Sequence, residues 1–312
     1  MINLQTQLAP CNTRGLLLRN PVVIASGAFG YGMDTAKIAE VQFLGAFTCK
    51  GTTLHPRSGN EHPRIIQTAS GMLNAIGLQN PGIQTVIEDY APIWATWDTP
   101  VIVNIAGESV EEFVELASLL EGVEGVAAIE LNVSCPNVLA GGAVFGADAL
   151  TVAKVTESVR RVTTLPIIVK LSPNSGDVRP TALAAASSGA DAVSLINTIT
   201  GMGIDITRRR PTLANITGGL SGPAIKPIAL RMVYEVAQVL HLSYPRVPII
   251  GIGGISNAND ALEFLMAGAS AIQIGTINST NPHAGVEIVK GIEEYMRQEG
   301  IKSVSELVGM AL

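Results

Sequence analysis

AAIELNVSC at residues 127–135, PIIVKLS at 166–172 and ADAVSLIN at 190–197 decide the fold. Each is a continuous apolar run rich in β-branched residues rather than an alternation of apolar and polar positions. Strands covered on both faces read this way, and such strands belong to parallel sheets packed between helices. Residues 149–162, between the first two runs, repeat apolar side chains at helical spacing. Working outward, the same unit recurs. PVVIASG (21–27), AFTCKG (46–51) and PVIVNIA (100–106) precede these runs, and PIIGIGG (248–254) and SAIQIGT (270–276) follow them. Helical patterns occupy residues 110–120, with Glu111, Glu112 and Glu115 interleaved, residues 227–240, and residues 259–267 behind an N-cap at Asn257 or Asn259. Eight strands alternating with helices predict a parallel sheet closed into a (β/α)8 barrel. An open doubly wound sheet is the competing architecture.

All 312 residues are read as one domain, a size that such barrels reach. A minimal repeat takes roughly 25 residues, and three units exceed it: residues 52–99 after strand two, 136–150 after strand four and 198–225 after strand six. All three insertions follow the C-terminal end of a strand, where a barrel keeps its active site. Gly141, Gly142 and Gly146 in the second insertion suit a lid. At the other end, residues 4–9 and 15–18 are expected to pair as a hairpin plugging the barrel.

Apolar residues make up 47% of the chain and aromatics 4%, with a net charge of −6. The one basic cluster, Arg208-Arg209-Arg210, fits a solvated loop better than a nucleic-acid footprint, so no nucleic-acid partner is expected. No apolar run nears the roughly 20 residues that span a bilayer, and no signal peptide is legible at the N-terminus. Cys11, Cys49 and Cys135 stand far apart without a C-x-x-C pair. They support neither a zinc site nor a disulfide framework, no metal is expected, and a reducing cytoplasm fits.

The strand ends carry the chemistry. Lys50, Asn104, Asn132, Lys170 and Asn197 each lie at or near the C-terminal end of a different run, so they are expected to converge on one mouth. Lysine is costly to bury unless an anion or an electron-rich ligand accompanies it, so two lysines there point to a bound anion. The last two strands end in Gly251-Ile252-Gly253-Gly254 and Gly275-Thr276. Glycine lets backbone N–H groups approach a phosphate, and the loops after strands seven and eight form this fold's recurrent phosphate site. A dinucleotide fingerprint does not fit, because Ser256 holds the third glycine's place and the strand is the seventh. Cys135 is open to two readings: a buried structural thiol, or a general base at the start of a glycine-rich loop.

At this point the residues resemble a family. LNVSCPN (131–137) followed by GGAVFG (141–146) is similar to the catalytic loop of class 1 dihydroorotate dehydrogenases, and NAIGLQNPG (74–82) to their substrate loop. NITGGLSGPAIKPIALR (215–231) resembles the segment after strand six in the NAD-linked subclass, 1B. The likeness runs along essentially the whole chain. It implies oxidation of (S)-dihydroorotate to orotate in de novo pyrimidine synthesis, with loss of the C5 proton and transfer of the C6 hydride to FMN. Carried over residue by residue, Cys135 is the base, and Lys50 and Asn132 contact both flavin and substrate. Asn74, Ala75, Ile76, Gly77, Leu78, Asn197 and Thr198 bind orotate. Ser26, Gly51, Asn104, Lys170, Ile196, Gly222, Gly253, Gly254, Gly275 and Thr276 hold FMN. Competing readings are a dihydropyrimidine dehydrogenase-like flavin barrel, an aldolase or isomerase using Lys170 as a Schiff-base nucleophile, and a non-catalytic binding barrel.

The resemblance also bears on the electron acceptor. An iron–sulfur cluster needs four ligands, more than three scattered cysteines supply. Quinone-linked relatives use Ser where this chain has Cys135. The remaining routes are fumarate in the same pocket, as in subclass 1A, or a separate subunit carrying FAD and an iron–sulfur cluster that reduces NAD+. The 215–231 segment favours the second, and with it a heterotetramer of two catalytic and two electron-transfer chains.

Overall fold

The computed structural model describes residues 2–33, 40–133 and 148–312. Eight parallel strands close into a barrel: β1 (Val22–Ile24), β2 (Ala46–Thr48), β3 (Val101–Ile105), β4 (Ala128–Asn132), β5 (Ile167–Lys170), β6 (Ala192–Leu195), β7 (Ile249–Ile252) and β8 (Ala271–Ile274). Each strand pairs with its neighbours in sequence, and β8 closes on β1 through Ile272↔Val22 and Ile274↔Ile24. The expected closed barrel is therefore present and the open sheet is not. Every strand of the eight lies within one of the eight apolar runs.

The helices form where capping and periodicity agree. Ser109 caps Val110–Leu120 by accepting from the Glu112 N–H, and that helix buries Phe113, Leu116, Ala117 and Leu120. Asp148 caps Ala149–Arg160 through the Thr151 N–H. Of the two candidate caps for Ala258–Met266, Asn257 does the work, accepting from the Asp260 N–H. Among the described residues, no helix is long and apolar enough to cross a membrane.

One end of the barrel is sealed. Thr6–Gln7 and Leu17–Leu18 pair antiparallel as the expected hairpin. Leu8, Ala9, Leu16 and Leu18 pack against one inward residue from every strand: Val23, Ala46, Ile102, Ala128, Ile168, Ala192, Ile250 and Ala271. This layer is wholly apolar, and each fully buried Val, Leu or Ile side chain in it contributes about 1.5–3 kcal/mol.

At the other end, two of the insertions build a second sheet together. Ile65–Thr68 and Gly71–Asn74, after β2, join Ile199–Met202 and Thr217–Ser221, after β6, in one antiparallel four-stranded sheet. The arginine cluster lies on a small hairpin of the same insertion. All three arginines are exposed, and Arg208 pairs with Asp205 at 3.6 Å. Most of the insertion after β4, including the glycines expected to form a lid, lies outside the described residues.

Candidate active site

Alternation along a strand sends every second side chain inward, so each strand stacks its inward residues in layers. On β4 these are Ala128 in the sealed layer, then Glu130, then Asn132 at the rim. The middle layer is mostly polar, with Ala25 and Ile252 its apolar members. Glu130 is fully buried and accepts from Asn104 Nδ2 of β3 at 2.7 Å, from Ser194 Oγ of β6 at 2.9 Å and from Gln273 Nε2 of β8 at 2.9 Å. One carboxylate thus ties four strands together across the barrel interior.

The five polar residues expected at the mouth stand at two depths. Asn104 is fully buried and Lys170 only 6% exposed, whereas Lys50, Asn132 and Asn197 are half-buried at the rim. Asn132 and Lys170 are register partners on β4 and β5. Burial, reinforced by the positive charge of Arg64, holds the Lys50 ammonium below the usual lysine range.

Around Gly51 several of these groups meet. A Cβ on Gly51 would come within 3.0 Å of Asn104 Oδ1, 3.4 Å of Leu78 Cδ2 and 3.8 Å of Asn132 Nδ2. Asn104 Oδ1 is buried with no hydrogen-bond partner among the described residues. Asn197 Nδ2 donates to Asn132 Oδ1 at 3.4 Å, and Asn197 Oδ1 accepts from the Thr198 N–H at 2.8 Å. With its Oδ1 so engaged, Asn132 keeps Nδ2 as a donor at Gly51, where Asn104 Oδ1 is an acceptor. Planar heterocycles with mixed donors and acceptors match such a pair.

Asn74 ends the strand Gly71–Asn74, and with Ala75, Ile76, Gly77 and Leu78, which follow it, forms one wall. Asn60 braces them: its N–H donates to Ile76 O at 2.9 Å and its Nδ2 to Ala75 O at 3.0 Å. Buried Asn80 ties down the far end, with Nδ2 on Leu78 O at 2.7 Å and on Thr53 Oγ1 at 2.8 Å.

The ends of β7 and β8 supply a glycine seat. Gly254 has φ +73, and a Cβ there would collide with Lys226 N at 2.8 Å and Gly222 O at 2.9 Å. This places Gly222 and Gly254 at the start of the helix Lys226–Ser243, whose first residue is held by Asp260 at 2.7 Å and Glu263 at 3.0 Å. Gly253 packs near Ile196. Thr276 donates to Ser221 Oγ at 2.9 Å. Gly275, beside Ala25 and so next to Ser26, has ordinary φ, and a Cβ there would meet only Ala25 Cβ at 3.6 Å. Helix N-termini and clustered backbone N–H groups favour an anion. Gly251 differs, since its lack of a Cβ makes room for the Phe264 ring.

Cys135 lies outside the described residues. Sequence reading missed Glu130, Ser194, Gln273, Asn60 and Asn80. For Glu130 a signal existed: an acidic residue two positions before Asn132, inside an apolar run. For Asn60 and Asn80 none did, because loop polar residues look alike before the loop folds.

Comparison with known proteins shows the family. The family described as Dihydroorotate dehydrogenase matches residues 9–296. A protein of Pelobacter propionicus named "Dihydroorotate dehydrogenase B (NAD(+)), catalytic subunit" is 54% identical over 298 residues, 96% of each chain. Proteins of the same name from Geotalea daltonii and Desulforudis audaxviator are 55% identical over 295 residues and 51% over 297, each covering 95% of both chains. The chain belongs to the dihydroorotate dehydrogenase family.

Proposed function

We propose that this chain oxidises dihydroorotate to orotate, a step of pyrimidine biosynthesis, as the FMN-bearing catalytic subunit of an NAD+-linked enzyme. The observation that carries the reading is that Asn104 Oδ1, an acceptor, and Asn132 Nδ2, a donor, both border the bare face of Gly51, in a chain matched over 95–96% of its length by catalytic subunits of that name.

The residues present fit FMN. A flavin asks for a seat for its phosphate, hydrogen-bond partners for its ring edge, and positive charge where electrons arrive. Gly222, Gly253, Gly254, Gly275 and Thr276 would hold the phosphate with backbone N–H groups. The orphaned Oδ1 of Asn104 would accept from the ring, with Ser26, Gly51 and Ile196 against it. Lys170 supplies buried positive charge beside the rim. FMN, when bound, supplies the acceptor for the C6 hydride.

The chain's own residues do the rest. Asn74, Ala75, Ile76, Gly77 and Leu78 offer backbone groups to the substrate. Asn132, Asn197 and Thr198 address its ring, and the Lys50 ammonium favours an anionic substrate. Cys135 Sγ takes the C5 proton, helped toward thiolate by the positive charge of the lysines. Electrons then leave through a partner subunit carrying FAD and an iron–sulfur cluster, in a heterotetramer of two catalytic and two electron-transfer chains. The free thiols of Cys11 and Cys49 suit a reducing compartment, and we place the reaction in the cytoplasm.

The test is anaerobic mixing of the purified yellow protein with dihydroorotate. Flavin bleaching is expected, and unchanged colour overturns the reading. Supplied afterwards with fumarate or NAD+, the chain alone is expected to turn over with neither. Adding the partner subunit restores NAD+ reduction. Brisk fumarate turnover by the chain alone rejects the NAD+ assignment.

A further inference from the structure

We propose that Glu130 is a positioning residue that fixes the amide of Asn104, so that its Oδ1 and not its NH2 faces the ring of the cofactor. The inference rests on the FMN reading above and adds a residue that touches neither cofactor nor substrate.

The geometry allows one orientation. A carboxylate only accepts. Glu130 Oε2 takes Asn104 Nδ2 at 2.7 Å, while Oε1 is occupied by Ser194 Oγ and Gln273 Nε2, both at 2.9 Å. Were the Asn104 amide turned over, two acceptors would face each other inside the barrel. Held as it is, Asn104 presents Oδ1 beside Gly51, buried and with no partner among the described residues. An unpartnered buried acceptor is costly, and the side chain bearing it is clamped by a charge. That combination is what a site does when it awaits an N–H donor, which the isoalloxazine ring carries.

The layer containing Glu130 makes the same point. A barrel interior needs only apolar filling for stability, and the layer against the hairpin is built that way. One step up, six of the eight inward residues are polar: Thr48, Asn104, Glu130, Lys170, Ser194 and Gln273, with Ala25 and Ile252 completing the layer, all buried. Burying a carboxylate among them destabilises the fold relative to apolar packing, so its retention directly beneath the mouth points to orientation of groups above it.

FMN binding to apoprotein, followed by quenching of flavin fluorescence, tests this in three proteins. Wild type is expected to take up FMN. Glu130→Gln can donate as well as accept, which frees Asn104 to turn; it is expected to bind FMN about tenfold more weakly, with a shifted flavin absorption band. Ser194→Ala removes another donor from the same carboxylate but leaves Asn104 held, so its affinity is expected to match wild type. Equal affinity of Glu130→Gln and wild type overturns the inference alone. So does equal weakening in both variants, because the network would then act only as structure. No FMN uptake by wild type overturns the cofactor reading and the inference together. Should Glu130→Gln not fold, the side-chain amide resonance of Asn104 in wild type decides. It is expected to be hydrogen-bonded in both the FMN-free and the FMN-loaded protein, and a resonance that loses its hydrogen bond on loading overturns the proposal.

Discussion

Asn197 Nδ2 stands 3.4 Å from Asn132 Oδ1, linking the end of β6 to the end of β4 across the mouth of the barrel. Because the Thr198 N–H occupies Asn197 Oδ1 at 2.8 Å, the direction of this amide chain is set before any ligand arrives. Asn197→Ala is expected to weaken orotate binding by about tenfold, the loss of one half-buried polar partnership. Asn132→Ala should cost at least as much. The double variant should cost less than the sum, since the two act as a unit. Orotate titration of the flavin absorbance measures all three, and full additivity would show the contact to be inert.

Gly275→Ala separates binding from folding. Its Cβ would meet only Ala25 at 3.6 Å, so the melting temperature should hold, while intrusion into the cofactor seat weakens FMN binding by about tenfold. Gly254→Ala should fail on both counts, because φ +73 and a backbone contact at 2.8 Å leave no room for a side chain. Calorimetry and FMN titration on the pair give the comparison. Undiminished FMN affinity in Gly275→Ala would move the cofactor away from β8.

Burial and the charge of Arg64 lower the Lys50 pKa from its ordinary 10.5. Orotate affinity is therefore expected to fall on the alkaline side earlier than an exposed lysine would allow. Arg64→Gln removes one of the two causes and should move that fall to higher pH. The ligand-free fold is expected to show the opposite slope: a lowered folded-state pKa means that the folded state binds the proton less tightly than the unfolded chain, so stability should rise as pH climbs from the folded pKa toward 10.5. Orotate dissociation constants and urea midpoints across alkaline pH check both signs.

Cys135→Ala is expected to keep FMN and orotate binding but to slow flavin reduction by dihydroorotate about 10²–10⁴-fold, the usual contribution of a general base. Stopped-flow absorbance reads it directly. Bleaching at the normal rate would place the base elsewhere.

Leu18→Ala, at the sealed end of the barrel, is expected to cost about 2–5 kcal/mol of stability and to leave the flavin spectrum of the folded fraction unchanged. Urea unfolding and the visible spectrum test the separation. A spectral change would mean that the two ends are coupled.

Residue order alone determined the barrel. Apolar runs such as PIIVKLS and ADAVSLIN can satisfy neither face in water, so parallel pairing under helices is what their composition permits. The hairpin at residues 4–18, the Asn257 cap and the glycine-tipped strands β7 and β8 were legible for the same local reason. Motif order carried the family, since LNVSCPN, NAIGLQNPG and the 215–231 segment lie within a chain matched over residues 9–296. What the tertiary structure decided was depth and partnership. Lys50 and Lys170 look alike as strand-end lysines, yet one is half-buried at the rim and the other almost fully enclosed. The sheet over the mouth joins residues 65–74 to residues 199–221, and nothing local to either segment states that pairing. Glu130, Asn104, Ser194 and Gln273 meet only because four strands close on one axis. Inward side chains from distant strands become neighbours through the curvature of the barrel, and that curvature is a property of the closed sheet, absent from any strand alone.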